Sequence, residues 1–178
     1  MEPAHFFLNC PRCAAPGPEQ RDKNVRCAAC GFVYYFNPGA AVVVILTDAE
    51  GRMLFLKRAR EPARGKLGLP GGFVDVGESA EEAARRETLE EVGLVVGNLQ
   101  FVASCPNAYL YREVTYPTVD LIFRGEVAAY ETALQADEVD GVVWREPSGV
   151  ADEEIAFPSA RMAVAWMRER TAAPVADD

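Results

Sequence analysis

A chain of 178 residues has room for one domain of ordinary size and a small module, and with 49% hydrophobic residues it can fill a core, so general disorder is excluded. Its formal net charge of −9 disfavours non-specific binding to nucleic acid, so an anionic substrate must be met by a local basic cluster or by bound metal. The single histidine, His5, stands near the start, which excludes a Ser-His-Asp triad and leaves carboxylates as candidate general bases.

No apolar run reaches the roughly 18 residues of a membrane span. The first residues show neither a basic start nor an apolar signal core, so a cytoplasmic protein with no membrane segment is expected. Residues 1–38 differ in texture from the rest and contain four of the five cysteines, as Cys10-Pro-Arg-Cys13 and Cys27-Ala-Ala-Cys30. In a chain without a signal peptide, paired cysteines read as metal ligands before disulfides. Four thiolates suit tetrahedral Zn²⁺, and so short a segment would draw its folding energy from the metal. Gly31 eases the turn after the second pair. The segment resembles a zinc ribbon, and Asn37-Pro38-Gly39 marks its end. The main domain is expected over 39–173, with 174–178 a frayed tail.

Within that domain, Ala40–Leu46 reads as a buried strand. Asp48–Gly51 reads as a turn, and Arg52–Lys57 as the partner strand beyond it. Lys57, Arg58, Arg60, Arg64 and Lys66 then place five positive charges in ten residues. Arg58 is the best single phosphate contact, because its planar fork matches phosphate oxygens; a solubilising surface patch is the alternative. A Gly/Pro-rich loop, Leu67–Gly72, leads to the clearest helix, 79–92. Ser79 and Glu82 form a capping box there, and Gly93 occupies the left-handed C-terminal position. Strands at 95–104, 117–127 and 142–145 follow, then a helix over 159–169 and fraying from Thr171. Mixed strands with two helices on opposite sides give an α/β fold, a three-layer α/β/α sandwich.

The chemistry concentrates between Gly72 and Leu94. Glu87, Glu90 and Glu91 are spaced i, i+3, i+4 and share one helix face, where like charges repel. Alone, that pattern is commonly a solvated acidic face. The glycine loop just before it brings backbone groups within reach, and converging oxygen ligands with open access are what hard divalent cations require. Small side chains at Ala80, Ala83 and Ala84 leave room for a passing backbone. Arg86, pointing away from that face, can return to Glu78 and lock the loop to the helix.

The frame Gly72-x5-Glu78-x7-Arg86-Glu87-x2-Glu90-Glu91-x-Gly93-Leu94 resembles the Nudix box, G-x5-E-x7-R-E-U-x-E-E-x-G-U, with Thr88 as its one soft departure. Resemblance to the Nudix hydrolases implies hydrolysis of a nucleoside diphosphate linked to another group, such as ADP-ribose, a dinucleotide or a nucleotide sugar. It implies Mg²⁺ or Mn²⁺ held by Glu87, Glu90 and Glu91 with the backbone carbonyl of Gly71. It implies a further carboxylate before the last core strand, for which Glu138 is the candidate; Glu90 and Glu138 are the leading general bases. Gly72, Glu78, Arg86 and Gly93 would be structural. Homodimers are common among such proteins.

Ribbon and box together resemble the branch that includes NADH pyrophosphatase. That branch carries S-Q-P-W-P-F-P-x-S downstream of the box, where this chain has Ser104-Cys-Pro-Asn-Ala-Tyr-Leu-Tyr111 and matches only at Ser104 and Pro106. No strong preference for NADH is therefore expected. Cys105 reads as a buried small hydrophobe, and Tyr109, Tyr111 and Tyr116 as base-stacking candidates or ordinary packing. A nucleotide-sensing module whose ribbon contacts a partner, and an RNA-cap hydrolase, are the alternative functions. The full set of glutamates favours catalysis, and the net charge weighs against RNA.

Overall fold

The structure is a computed structural model and describes residues 2–127, 130–134 and 139–172. The chain forms two units: one runs to Gly39 and includes Ala108–Thr118, the other comprises Ala40–Asn107 and the residues from Val119 onward.

The first unit is built on strands β1 (Glu19–Arg21), β2 (Asn24–Arg26) and β3 (Val33–Tyr35), antiparallel in that order. Strands of three residues bury little. Val25 is enclosed, Phe7 stacks on Tyr34, and Phe36 meets both edge-on, with ring centroids 5.3–5.6 Å apart. A core this small offsets little of the entropy of ordering the segment.

The remaining elements are β4 (Gly39–Leu46), β5 (Met53–Arg58), β6 (Leu67–Gly68), α1 (Ala80–Val92), β7 (Val96–Tyr111), β8 (Val114–Val127), β9 (Val139–Arg145) and α2 (Pro158–Ala172), all of the second unit apart from Gly39 and the Ala108–Thr118 stretch. The strands form two sheets, in the orders β4-β8-β7 and β6-β5-β9. The turn expected at 48–51 is present: the Asp48 carboxylate accepts from the backbone of Glu50 and Arg52, and Gly51 takes φ 81°. The strands it joins are not partners, however. Beyond one bridge at Thr47–Met53 they part, and β5 runs antiparallel to β9 instead. Both runs are apolar on both faces, so neither pattern specifies its neighbour.

Alternate residues of β4 and β5 feed different cores. Val42, Val44, Leu46, Leu54 and Leu56 pack with Ala83, Ala84 and Val92 of α1. Ile45, Met53 and Phe55 pack with Ala160, Ala163, Val164 and Met167 of α2. The helices therefore cover opposite faces, as the expected α/β/α sandwich requires. Each large side chain so enclosed contributes about 1.5–3 kcal/mol.

The β7–β8 hairpin is longer than expected. Pro106 and Pro117 argue against strand within it, yet strand continues to a two-residue tip at Arg112 and Glu113, with φ 44° and 69°. The tip region, Ala108–Thr118, groups with the first unit. Helix α2 also runs past the expected fraying at Thr171, whose hydroxyl bonds the carbonyls of Met167 and Arg168. The tail at 174–178 lies outside the described residues. Among the described residues, no helix is long and apolar enough to cross a membrane.

Candidate active site and metal centre

The glycine loop lies along β4. The amides of Val42 and Val44 donate to the carbonyls of Gly72 and Pro70 at 2.8 Å, and the amide of Val74 donates to Ala40 at 3.0 Å. Two glycines make that course possible. At Gly71, with φ 150°, a Cβ would fall 2.0 Å from the Val42 carbonyl oxygen. At Gly72 a Cβ would fall 2.3 Å from Glu87 Oε1. Gly71 thus lets the loop lie on the strand, and Gly72 lets a carboxylate lie on the loop.

Helix α1 delivers that carboxylate. Ser79 Oγ accepts from the Glu82 amide at 3.2 Å while Glu82 Oε2 accepts from the Ser79 amide at 2.8 Å, completing the capping box. Gly93 ends the helix at φ 71° and donates to Leu89 O at 2.9 Å. Ala83 and Ala84 are fully buried with the β4 and β5 side chains, and Thr88 turns inward to bond Ala84 O. The acidic face begins at the margin of this buried stripe. Glu87 is largely covered, Glu91 Oε2 accepts from the Gly71 amide at 2.9 Å, and Glu90 is the open member with half its side chain exposed.

Arg86 binds Glu78 through two nitrogens, each at 2.9 Å, and donates to Phe73 O at 3.0 Å, tying loop to helix. Its hydrogen bonds hold the Glu78 carboxyl below the usual carboxylate range, helped by the Asp75 amide, and the Glu78 and Glu87 bonds raise Arg86 itself. Contrary to expectation, the guanidinium does not point away from the acidic face. It also reaches Glu87 Oε1 at 2.8 Å and, one turn on at i+4, Glu90 Oε2 at 3.4 Å. Glu87, Glu90 and Glu91 offer carboxylate oxygens beside backbone polar groups, the ligand type that hard divalent cations take.

Glu138 lies outside the described residues. Arg58 closes β5 opposite Val139; its Nε donates to Pro62 O at 2.9 Å and its guanidinium stacks on Phe157 at 4.8 Å. The basic run folds back on itself, with Arg58 N to Lys66 O at 3.0 Å and Gly65 N to Arg58 O at 2.8 Å.

Cys10, Cys13, Cys27 and Cys30 present sulfurs that all lie within 4.8 Å of one another, the one such metal-ligating group among the described residues. Cys10–Cys30 and Cys13–Cys27 are each 3.7 Å apart. A disulfide needs about 2.05 Å, whereas tetrahedral zinc with ~2.3 Å bonds places its sulfurs about 3.8 Å apart. The sulfurs therefore fit zinc. Burial works to raise the Cys10 thiol, but the backbone of Cys13 and Arg12 brings it down to about 7. The backbone at Ala15 favours Cys13 ionisation, yet the neighbouring thiols and burial push it up to about 12. Four clustered sulfurs resist shedding every proton without a cation among them.

Sequence reasoning missed the symmetry of the two knuckles. Cys10 O accepts from Ala14 N and Cys27 O from Gly31 N, and Ala14 and Gly31 take φ 60° and 73°. Ala14 does the work of a glycine, so composition gave no signal. Asp120 was also missed, a buried acid whose Oδ2 accepts from Asn107 at 2.8 Å and from Ser159 Oγ at 2.6 Å.

Comparison with known proteins places these features in context. NAD-capped RNA hydrolase NudC of Chromobacterium violaceum is 41% identical over 101 residues, covering 56% of this chain and 37% of that protein. ADP-ribose pyrophosphatase of Methanocaldococcus jannaschii is 35% identical over 113 residues, covering 60% of this chain and 64% of that protein. The matched region thus spans less than two thirds of either relative. The crystal structure of a NUDIX hydrolase from Nitrosomonas europaea superposes with a TM-score of 0.71 at 24% identity, over 93% of each chain, a likeness of fold. The family model described as NUDIX domain matches residues 37–167, which take in the glycine loop, the carboxylate helix and both cores, and the chain belongs to that family.

Proposed function

We propose that this chain hydrolyses the diphosphate bridge of a nucleoside diphosphate linked to another moiety, of the ADP-ribose, dinucleotide or nucleotide-sugar class. The observation that carries the reading is the seating of Glu87 and Glu91 on the glycine loop, Glu87 beneath Gly72 and Glu91 on the Gly71 amide. Carboxylates placed directly on a loop backbone form a rigid anionic wall, which an isolated solvated helix face does not need.

In this reading Glu87, Glu90 and Glu91, with the Gly71 carbonyl, hold Mg²⁺ or Mn²⁺. A bound divalent ion supplies charge neutralisation at the bridge and lowers the pKa of water. Glu90, the exposed member, or Glu138 takes the proton as water attacks phosphorus. Arg86 and Glu78 keep the loop fixed, and Arg58 with the basic run holds phosphate charge. Cys10, Cys13, Cys27 and Cys30 hold a structural Zn²⁺. The domains are read as a ribbon over 1–38 and a hydrolase domain over 39–173, acting as a cytoplasmic protein, with a homodimer as the assembly to test. Similarity to a NAD-capped RNA hydrolase favours a second reading, cleavage of the corresponding bridge on capped RNA. The net charge of −9 weighs against it.

The test is a panel of ADP-ribose, FAD and NADH at equal concentration, with Mg²⁺ and with Mn²⁺, comparing kcat/KM. Comparable cleavage without a strong preference for NADH is expected. A preference for NADH of about a hundredfold, ~2.7 kcal/mol, would overturn the specificity. Activity on phosphomonoesters alone would overturn the reaction class.

A further inference from the structure

Helix α2 begins with Pro158, so Phe157 stands at its N-cap position. Phe has no side-chain acceptor for the free amides of the first turn, where Ser, Thr, Asp or Asn stabilises by about 1 kcal/mol. The first turn is instead tied to a strand through the Ser159 side chain. Asp120 on β8 is 5% exposed and takes the Ser159 hydroxyl at 2.6 Å, beside the positive end of the helix dipole. Asn107 on β7 donates to the same oxygen at 2.8 Å. A buried carboxylate is a costly tether, and a serine at 157 would stabilise the helix start by accepting an amide directly, with less desolvation.

Position 157 is engaged elsewhere. The Phe157 ring lies under the Arg58 guanidinium at 4.8 Å, while Arg58 Nε grips Pro62 O. The preceding residue, Ala156, donates to Leu67 O at 2.8 Å, where β6 enters the glycine loop. The start of α2 therefore sets the platform beneath Arg58 and an anchor for the loop that carries Gly71 and Gly72.

We propose that Asp120 is a positioning residue: by holding Ser159 it ties the start of α2 to the sheet so that Phe157 can stack on Arg58 and hold that guanidinium for the substrate phosphates. The role of Arg58 here rests on the proposed function. Asp120 touches no substrate and acts through Ser159 and Phe157.

Hydrogen exchange and kinetics on the full chain test this separately. Asp120→Ala should speed exchange at the Gly65, Lys66 and Ala156 amides by about tenfold or more, with the Gly93 amide unchanged. With ADP-ribose and Mg²⁺ it should raise KM about tenfold with little change in kcat, and raise it less than about twofold in an Arg58→Ala background. Phe157→Ser added to Asp120→Ala should restore Tm by local capping and leave KM high. Asp120→Asn, which keeps an acceptor for Ser159, guards against a failure to fold and should give intermediate values of both exchange and KM. Unchanged exchange at those three amides, an equal KM effect with and without Arg58, or recovery of KM with Phe157→Ser would each overturn the proposal. Lack of ADP-ribose turnover by the wild-type chain would count against the proposed function, and the exchange result would still decide the role of Asp120.

Discussion

Gly72→Ala should abolish most activity while leaving the fold in place. The new Cβ would stand 2.3 Å from Glu87 Oε1, 2.5 Å from its Cδ and 2.8 Å from Oε2. The carboxylate must withdraw by about 1 Å to regain van der Waals separation. Gly72 is absent from the left-handed residues, so alanine brings no backbone strain there, and the obstructing atoms are the end of a flexible side chain. The stability loss should stay within about 1 kcal/mol, or ~2–4 °C in Tm for a chain of this size. Displacing a catalytic group by 1 Å costs about a hundredfold in rate, ~2.7 kcal/mol. Gly71→Ala is the contrast. Its Cβ would meet the Val42 carbonyl oxygen at 2.0 Å, with φ at 150°, so backbone must move. Strain alone there costs about 1–3 kcal/mol, and Tm and activity should fall together. The assay is thermal melting beside kcat for ADP-ribose with Mg²⁺. Wild-type kcat in Gly72→Ala, or a collapse of its Tm like that of Gly71→Ala, would refute the reasoning.

Glu90→Gln and Glu91→Gln should each remove Mg²⁺-dependent hydrolysis by several orders of magnitude with unchanged circular dichroism, and full activity in both would contradict the carboxylate assignment. Protein purified without added metal should hold about one zinc per chain, and Cys13→Ser should lose it; a well-folded, zinc-free preparation would count against the cysteine site. Glu78 has its folded pKa lowered by Arg86, so its contribution to stability is present above its unfolded value of 4.5 and is lost as pH falls through the lower folded value. Glu78→Gln should therefore lower Tm at neutral pH, and the difference should narrow as pH falls below 4.5 and close once it passes the lower folded value; a difference that never narrows would point to packing instead of charge.

The carboxylate helix was legible because its signals are local. Ser79, Glu82 and Gly93 mark the ends through hydrogen bonds that span three or four residues. The spacing of the cysteine pairs likewise led to a four-sulfur cluster. Pairing of β5 was not legible, since Met53, Leu54, Phe55 and Leu56 are all buried and the strand has no polar face to set its neighbour. The reach of Arg86 to Glu90 is an i, i+4 contact that helical spacing does encode, so the expectation that Arg86 points away from the acidic face is at odds with the spacing itself. Asp120 was hidden because its partners stand 13 and 39 residues away.

The central claim is that the glutamates on the glycine loop serve metal-dependent cleavage of a diphosphate bridge. It is tested most directly by incubating the protein with ADP-ribose in the presence and absence of Mg²⁺ and resolving the products. The account predicts AMP and ribose 5-phosphate with Mg²⁺, none without it, and none from Glu91→Gln. Release of inorganic phosphate from simple monoesters with the diphosphate bridge left intact, or equal turnover by Glu91→Gln, would contradict it.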